Sequence, residues 1–250
     1  MELLRLEGIA KSFGKARVLQ DIDLAIDQGE VVALVGDNGA GKSTLIKIIT
    51  GVHRPSAGQL FYRGRKVALR SVAQSRRLGI EAVYQERALC DQQELYRNIF
   101  AGREITDRFG FMNIRRQRAE TEKLLRSRIG LTSSAMTVDS PVGGLSGGEK
   151  QGVAFVRALY FDADLIILDE PTMGLSIKET ERVLDFVKGL IGQGKSAIFI
   201  DHNIFHVYDA ATRFVVLDRG RIVAQFGKAE ISHKDLIATM VELHNKGQTR

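Results

Sequence analysis

Nine consecutive residues, Gly36-Asp37-Asn38-Gly39-Ala40-Gly41-Lys42-Ser43-Thr44, have the makings of a cradle for phosphate. They fit G-x-x-x-x-G-K-[ST] at every position. Glycines let the backbone wrap tightly, so successive N–H groups can converge on one anion. Lys42 opens a stretch, Lys42–Thr50, that reads as a helix. A helix N-terminus aims partial positive charge at the same anion. In such a loop Lys42 reaches the β- and γ-phosphates and Ser43 ligates Mg²⁺. The plainer reading is a glycine turn with no ligand, but glycine spacing, the Lys-Ser pair and the flanking elements all agree against it. Alone, the motif states only that a nucleotide phosphate is bound.

A second constellation is Asp164-Leu165-Ile166-Ile167-Leu168-Asp169-Glu170, an apolar strand that ends in two acids. In an open α/β sheet the carboxyl edge of the strands is where ligands bind. Neighbouring strand residues face opposite ways, so the two acids are expected to do different work. Asp169 is assigned to the Mg²⁺ shell. Glu170 is assigned as the general base that polarises an attacking water. Acids at strand ends are also common as turn formers and helix caps; the phosphate loop upstream favours the chemical reading.

The elements that must position these groups follow from the hydrophobic pattern. Leu3–Ile9, Arg17–Ile26, Val31–Val35, Gln59–Tyr62, Glu81–Tyr84, Leu165–Leu168, Ala197–Ile200, Phe214–Leu217 and Ile222–Phe226 read as strands. Val31–Val35, Leu165–Leu168 and Ala197–Ile200 are continuously apolar, which suits a sheet covered on both faces. Helical patterns cover Lys42–Thr50, Asn113–Ile129, Gly147–Tyr160 and Lys178–Ile191; in the last, Val183, Leu184, Val187 and Leu190 share one face. Strands alternating with helices predict a mostly parallel α/β sheet. From about Tyr84 to Leu145 no convincing strand is found, and the stretch reads as a helical subdomain inserted into the α/β core.

Whole-chain properties bound the rest. In 250 residues, 44% hydrophobic and 26% charged, the mix is that of a soluble globular chain, not a disordered one. The longest apolar runs are strand-length, far short of the roughly 18 residues of a membrane span. Met1–Ile9 lacks the basic head and apolar middle of a signal peptide. Cys90 is the only cysteine, so no internal disulfide is possible. Both features point to the cytoplasm. The net charge of +6 comes from scattered Lys and Arg, which reads as a generic basic surface. No RNP-type aromatic motif and no zinc-ligand spacing accompany it, so nucleic acid is not expected as a partner.

A third motif, Leu145-Ser146-Gly147-Gly148-Glu149-Lys150-Gln151, precedes a helix, and Asp169-Glu170 follows it in the order seen in one family. The chain resembles the ATP-binding cassette (ABC) ATPases over essentially its whole length. The resemblance implies a P-loop NTPase core with a mostly parallel sheet, an antiparallel β subdomain and an inserted helical subdomain. One cassette then spans residues 1–250, with 1–84 and 146–250 as the nucleotide-binding core and about 85–145 as the helical subdomain. It implies ATP and Mg²⁺ as cofactors. By the same resemblance Phe13 stacks on adenine, and Gln85 in Val83-Tyr84-Gln85-Glu86 senses Mg²⁺ and the membrane partner. His202 in Ile200-Asp201-His202-Asn203 is the switch histidine that contacts the γ-phosphate. Each has a plainer alternative: Phe13 as core, Gln85 as a loop polar residue, His202 as a helix cap. Ser146, Gly147 and Gly148 are implied to cap the γ-phosphate of an opposite subunit, so ATP is sandwiched in a two-fold pair. Hydrolysis opens the pair.

Two positions depart from the family pattern. Ser176, in Met173-Gly174-Leu175-Ser176, stands where an Asp is usual, and Asp201 stands where Ser is common. The lost charge at Ser176 predicts slower hydrolysis or weaker coupling between sites. Among ABC ATPases, Gly36–Lys47, Thr50–Pro55, Arg97–Glu104 and Phe111-Met112-Asn113 are similar to bacterial simple-sugar importers of the ribose, xylose and fructose type. That similarity implies an energy-coupling subunit on the cytoplasmic face of the inner membrane. Its partners would be a second ABC ATPase subunit, normally a copy of itself, and membrane permease subunits. A periplasmic sugar-binding protein would be an indirect partner. The competing readings are an ABC ATPase of another importer class, a soluble non-transport ABC ATPase, or a nucleotide-binding regulator that hydrolyses poorly.

Overall fold

Runs of Val, Ile and Leu dictate where this chain must hide its surface, and they do so in two sheets. The computed structural model describes residues 1–84, 89–127 and 137–248. The first sheet is antiparallel. β1 (Glu2–Phe13) pairs with β2 (Ala16–Asp27) and with β4 (Ala57–Tyr62), and β5 (Arg65–Val67) closes the order β2-β1-β4-β5. The second sheet holds β3 (Val31–Val35), β6 (Ile80–Val83), β7 (Leu165–Asp169), β8 (Ser196–Ile200), β9 (Arg213–Asp218) and β10 (Arg221–Gly227). Its order is β10-β9-β3-β8-β7-β6. All neighbours in it run parallel except the edge pair β9–β10.

The helices are α1 (Lys42–Ile49), α2 (Val72–Arg77), α3 (Leu95–Phe100), α4 (Ile114–Ser127), α5 (Gly147–Tyr160), α6 (Ile177–Gly192), α7 (Ile204–Ala210) and α8 (His233–Gln248). The nine strands read from sequence all form, and the long helices start within a residue of their expected positions. The expected end of the Asn113–Ile129 helix lies outside the described residues. β5, α2, α3, α7 and α8 have no counterpart in the sequence reading; most are six or seven residues long, too short for periodicity to declare itself.

β3 and β8 are buried at every position. One face of the parallel sheet packs on α1 and the antiparallel sheet, around Ile9, Ile26, Leu45, Ile49, Ile167 and Leu217. The other face packs on α5, α6, α7 and α8, around Phe155, Leu168, Val187, Phe199, Phe214 and Leu236. A third, smaller core joins Leu95, Ile99, Phe100 and Val142 to Val153 and Val156 of α5. Helix α5 therefore serves two cores at once, and every residue from Gln151 to Ala158 is buried.

Between the parallel sheet and the insert lies a buried charge. Glu81, on edge strand β6, is buried and pairs with Arg103 of the insert and with Arg76 of α2 at 3.6 Å. Burial pushes the Glu81 carboxyl above the usual carboxylate range, and the Arg103 and Arg76 guanidiniums oppose the shift. The Arg103 guanidinium also lies 3.5 Å from the centre of the Phe161 ring, so one side chain ties β6 to the end of α5.

Phe100 is fully buried in the third core and packs edge-on to Tyr160 and Phe161. Phe100→Ala leaves a ring-sized cavity and is expected to cost about 3–5 kcal/mol of unfolding free energy, read by urea denaturation.

Candidate active site

The site sits where three neighbouring parallel strands end. β3 runs into the glycine loop, β7 into Asp169 and Glu170, and β8 into Asp201 and His202; β8 lies between the other two in the sheet. Register sets the edge, because Asp169 lies opposite Ile200.

The loop 36–41 has a backbone few other residues could adopt. Gly36, Gly39 and Gly41 have φ of 150°, 84° and 109°. At Gly36 a Cβ would stand 2.1 Å from the Leu217 carbonyl oxygen, and at Gly41 one would stand 2.7 Å from Leu19 Cδ2. At Gly39 nothing lies within 4 Å, so the outer side of the loop is open. Ala40 N donates to Asp37 O at 3.1 Å, and Gly220 N donates to Ala40 O at 2.8 Å. Lys42 Nζ lies over this loop and donates to the carbonyls of Gly36 at 2.5 Å and Asp37 at 3.0 Å. Burial lowers the Lys42 ammonium from its usual range, while Asp37, Glu170 and Asp169 act the other way. Ser43 and Thr44 follow in the first turn of α1, Ser43 exposed.

Glu170 has φ 52°, a left-handed backbone that is rare for a residue with a side chain. Its N–H donates to Ile200 O at 2.9 Å, and its own carbonyl accepts from Met173 N at 3.2 Å. These bonds hold the strain in place. The Glu170 side chain is mostly buried and meets His202 Nε2 at 2.6 Å through Oε1. The two residues assigned to base and switch are thus brought into direct contact. For Asp169, burial raises the carboxyl from its usual range, and the Glu170 charge raises it further; Lys42, Lys47 and His202 oppose.

A second tier holds these groups, and the sequence reading did not find it. Asp201 accepts a hydrogen bond from the Thr172 hydroxyl and another from Asn203 N at 2.8 Å. His206 Nδ1 stands 3.3 Å from Thr172 Oγ1. This network stitches the turn after β7 to the turn after β8. The atypical Asp201 thus ties the turn that carries His202 to the Thr172 turn. The helix cap considered for His202 is supplied instead by Asn203, which accepts from Phe205 N. A cavity of about 160 Å³ is lined by Gly36, Asp37, Asn38, Lys42, Asp201 and His202, with Met240 of α8 also on its wall. Nothing in the sequence pointed to Met240.

The remaining expectations fall as follows. Phe13 is the last residue of β1, paired with Ala16 of β2 and half exposed, with its ring edge-on to His53 at 5.2 Å and Lys11 Nζ 4.9 Å from its centre. Gln85 lies outside the described residues. Ser146 caps α5 in a reciprocal box. Its Oγ accepts from Glu149 N at 3.2 Å, and Glu149 Oε2 accepts from Ser146 N at 2.8 Å. Gly148 N donates to Glu179 Oε1 at 3.1 Å. Lys150 N donates to Ser146 O at 3.0 Å, and the side-chain partners of this turn are Glu149 and Glu179.

Ser176 caps α6 by the same S-x-x-E box, with Glu179 as its partner. The position lacks an acid of its own, but the Glu179 carboxylate stands 2.8 Å from the Ser176 hydroxyl.

The ABC transporter family model matches residues 19–173, more than half the chain. The chain belongs to the ABC transporter family. It is 43% identical over 239 residues to a xylose/arabinose import ATP-binding protein of Sulfolobus acidocaldarius, covering 96% of this chain and 94% of that protein. It is 36% identical to a fructose import ATP-binding protein of Rhizobium meliloti, covering 95% and 93%. A ribose import ATP-binding protein of Caldanaerobacter subterraneus is also 36% identical, but this cassette spans only 47% of it. Among solved structures, a nucleotide-free ATP-binding cassette from an ABC transporter superposes with TM-score 0.83 at 26% identity, over 98% of this chain and 99% of that one.

The donor set of this cassette fits a nucleotide-bound Mg²⁺. Among the described residues no three His, Cys, Asp or Glu side chains gather into a metal cage. Mg²⁺ is commonly held by one or two carboxylates together with substrate phosphates, and the residues expected to hold it, Ser43 in the first turn of α1 and Asp169 at the end of β7, are oxygen donors of that kind.

Removing the ammonium from the loop tests its role. Lys42→Ala is expected to abolish ATP binding, measured by equilibrium titration with a fluorescent ATP analogue. Ser176→Ala removes a helix cap and is expected to lower stability by about 1 kcal/mol, read by thermal unfolding.

Proposed function

We propose that the chain is the ATP-hydrolysing, energy-coupling subunit of an importer for a simple sugar. The observation that carries the catalytic part is the Glu170–His202 contact at 2.6 Å, held on a strained backbone beside the glycine loop. Names of relatives that import xylose or arabinose, fructose and ribose support the transport part.

In this reading the β- and γ-phosphates lie over Gly36–Thr44, where backbone N–H groups and Lys42 Nζ take their charge. Lys42 exchanges the carbonyls of Gly36 and Asp37 for phosphate oxygens. Ser43, Asp169 and Gln85 would hold Mg²⁺, which supplies charge neutralisation on the phosphates. Glu170 accepts the proton of the attacking water. His202 orients that carboxylate and reaches the γ-phosphate. Phe13 stacks on adenine. Ser146, Gly147 and Gly148 serve the nucleotide of a second copy, since each chain carries one loop and one signature turn.

Docking to permease subunits falls to the insert. A groove of about 210 Å³ is lined there by Cys90, Gln93, Arg97, Asn98, Glu104 and Met112. Asn98 builds its wall. Its amide oxygen accepts from Cys90 N at 2.7 Å, and its amide nitrogen donates to the carbonyls of Cys90, Gln93 and Glu94 at 3.1, 3.1 and 3.2 Å. That explains an asparagine in the Arg97–Glu104 run. No helix among the described residues is long and apolar enough to cross a membrane, so attachment to the cytoplasmic face of the inner membrane would run through the permease.

Glu170→Gln keeps the shape of the side chain and removes the base. It is expected to bind ATP normally, to form a stable dimer with Mg-ATP and to lower turnover by at least about 100-fold, measured by phosphate release and sedimentation. Turnover at the level of the unaltered chain would remove Glu170 as the base.

A further inference from the structure

The first turn of α5 already holds an anion, and that anion belongs to the chain itself. Of the N–H groups at this helix start, Glu149 N goes to Ser146 Oγ and Lys150 N to Ser146 O at 3.0 Å. Gly148 N goes to Glu179 Oε1 at 3.1 Å. The approach is close enough that a Cβ on Gly148 would stand 2.1 Å from the same oxygen. The other oxygen, Glu179 Oε2, accepts from Ser176 N at 2.9 Å and from Ser176 Oγ at 2.8 Å. One carboxylate thus bridges the N-termini of α5 and α6. The hydrogen bonds from Ser176 and Gly148 hold the Glu179 carboxyl below its usual range, so it is charged at neutral pH.

We propose that Glu179 is a positioning residue that occupies the Gly148 N–H in the unpaired chain and must yield it to the γ-phosphate of the partner's ATP. The inference rests on the pairing described under Proposed function. One N–H shared between a carboxylate and a phosphate oxygen bonds each of them more weakly, and two anions there repel each other. Glu179 keeps the turn shaped for an anion while none is supplied from outside, and it sets the strength of ATP needed to close the pair. Ser176 is the donor that makes this possible. Its hydroxyl gives a hydrogen to Glu179, which an ionised Asp at that position cannot do. The serine is therefore matched to the glutamate three residues on.

The test uses the full chain carrying Glu170→Gln, with Mg-ATP, and measures the dimer dissociation constant by analytical ultracentrifugation. Glu179→Gln keeps the side chain's shape and loses the charge; Glu179→Ala loses both. Each added to Glu170→Gln is expected to tighten ATP-driven pairing by at least about threefold, the scale of one charge at a helix N-terminus. A merely structural glutamate predicts the opposite sign, because a loosened turn pairs less well. Unchanged or weaker pairing in both variants overturns the proposal while leaving the ATP sandwich intact. Failure of the Glu170→Gln parent to pair at all overturns the sandwich, and this inference with it.

Discussion

The close approach of Gly36 to the Leu217 carbonyl is the constraint on which the site depends. A single methyl group there would collide with backbone of the neighbouring strand at 2.1 Å. The loop is thereby pressed into the edge of the sheet between β3 and β9, and Gly220 N fastens its far side through Ala40 O. Leu19 of the antiparallel sheet closes on Gly41 from outside. A phosphate-binding loop gains from such fixing, since donors already aimed at an anion need no reorganisation when it arrives. The antiparallel sheet is part of the mould for the loop.

Strain appears where the chemistry is assigned and is absorbed by ordinary hydrogen bonds nearby. Glu170 leaves β7 in a left-handed conformation that costs on the order of 1–3 kcal/mol. Turning the backbone there ends the strand alternation after Asp169, so the direction of the Glu170 side chain is set by the turn and not by the strand. The compensation comes from Ile200 O, from Met173 N and from the Thr172–Asp201 bond that ties the two turns. Because β8 lies between β3 and β7, His202 is delivered to Glu170 by sheet order, with no long loop required.

Much of this was legible in the sequence because the signals are local. The glycine loop is contiguous, and continuous apolar runs such as Val31–Val35 announce buried parallel strands. Glu149 and Glu179 each lie three residues after a serine, a capping-box spacing readable without a structure; pattern places both helix starts within a residue, and the serine–glutamate boxes complete them. The bond from Gly148 to Glu179 spans 31 positions and leaves no periodic trace. The same holds for Asp201 with Thr172, for Met240 beside the loop, and for Asn98, whose four bonds look from sequence like one polar residue in a helix. Phe13 lies beyond the apolar run Leu3–Ile9 that pattern reveals, and which ring it meets, His53, follows only from the packing of β1 against the chain after α1.

Helix α5 is where the core under the parallel sheet and the smaller core around Phe100 are joined. Val153 and Val156 face the small core of the insert, while Ala154, Phe155 and Ala158 face the parallel sheet. A helix buried on both sides cannot slide over either neighbour without opening voids in close-packed apolar surface. The Glu81–Arg103 pair and the Arg103–Phe161 stack reinforce the same seam at its carboxyl end. At its amino end sits the Ser146–Gly148 turn. Through the Gly148–Glu179 bond that turn is joined to the start of α6. Asp91, between the groove residues Cys90 and Gln93, pairs with Lys150 in the first turn of α5 at 2.9 Å, so the groove and the Ser146–Gly148 turn are tied to the same end of one helix that packing holds rigid.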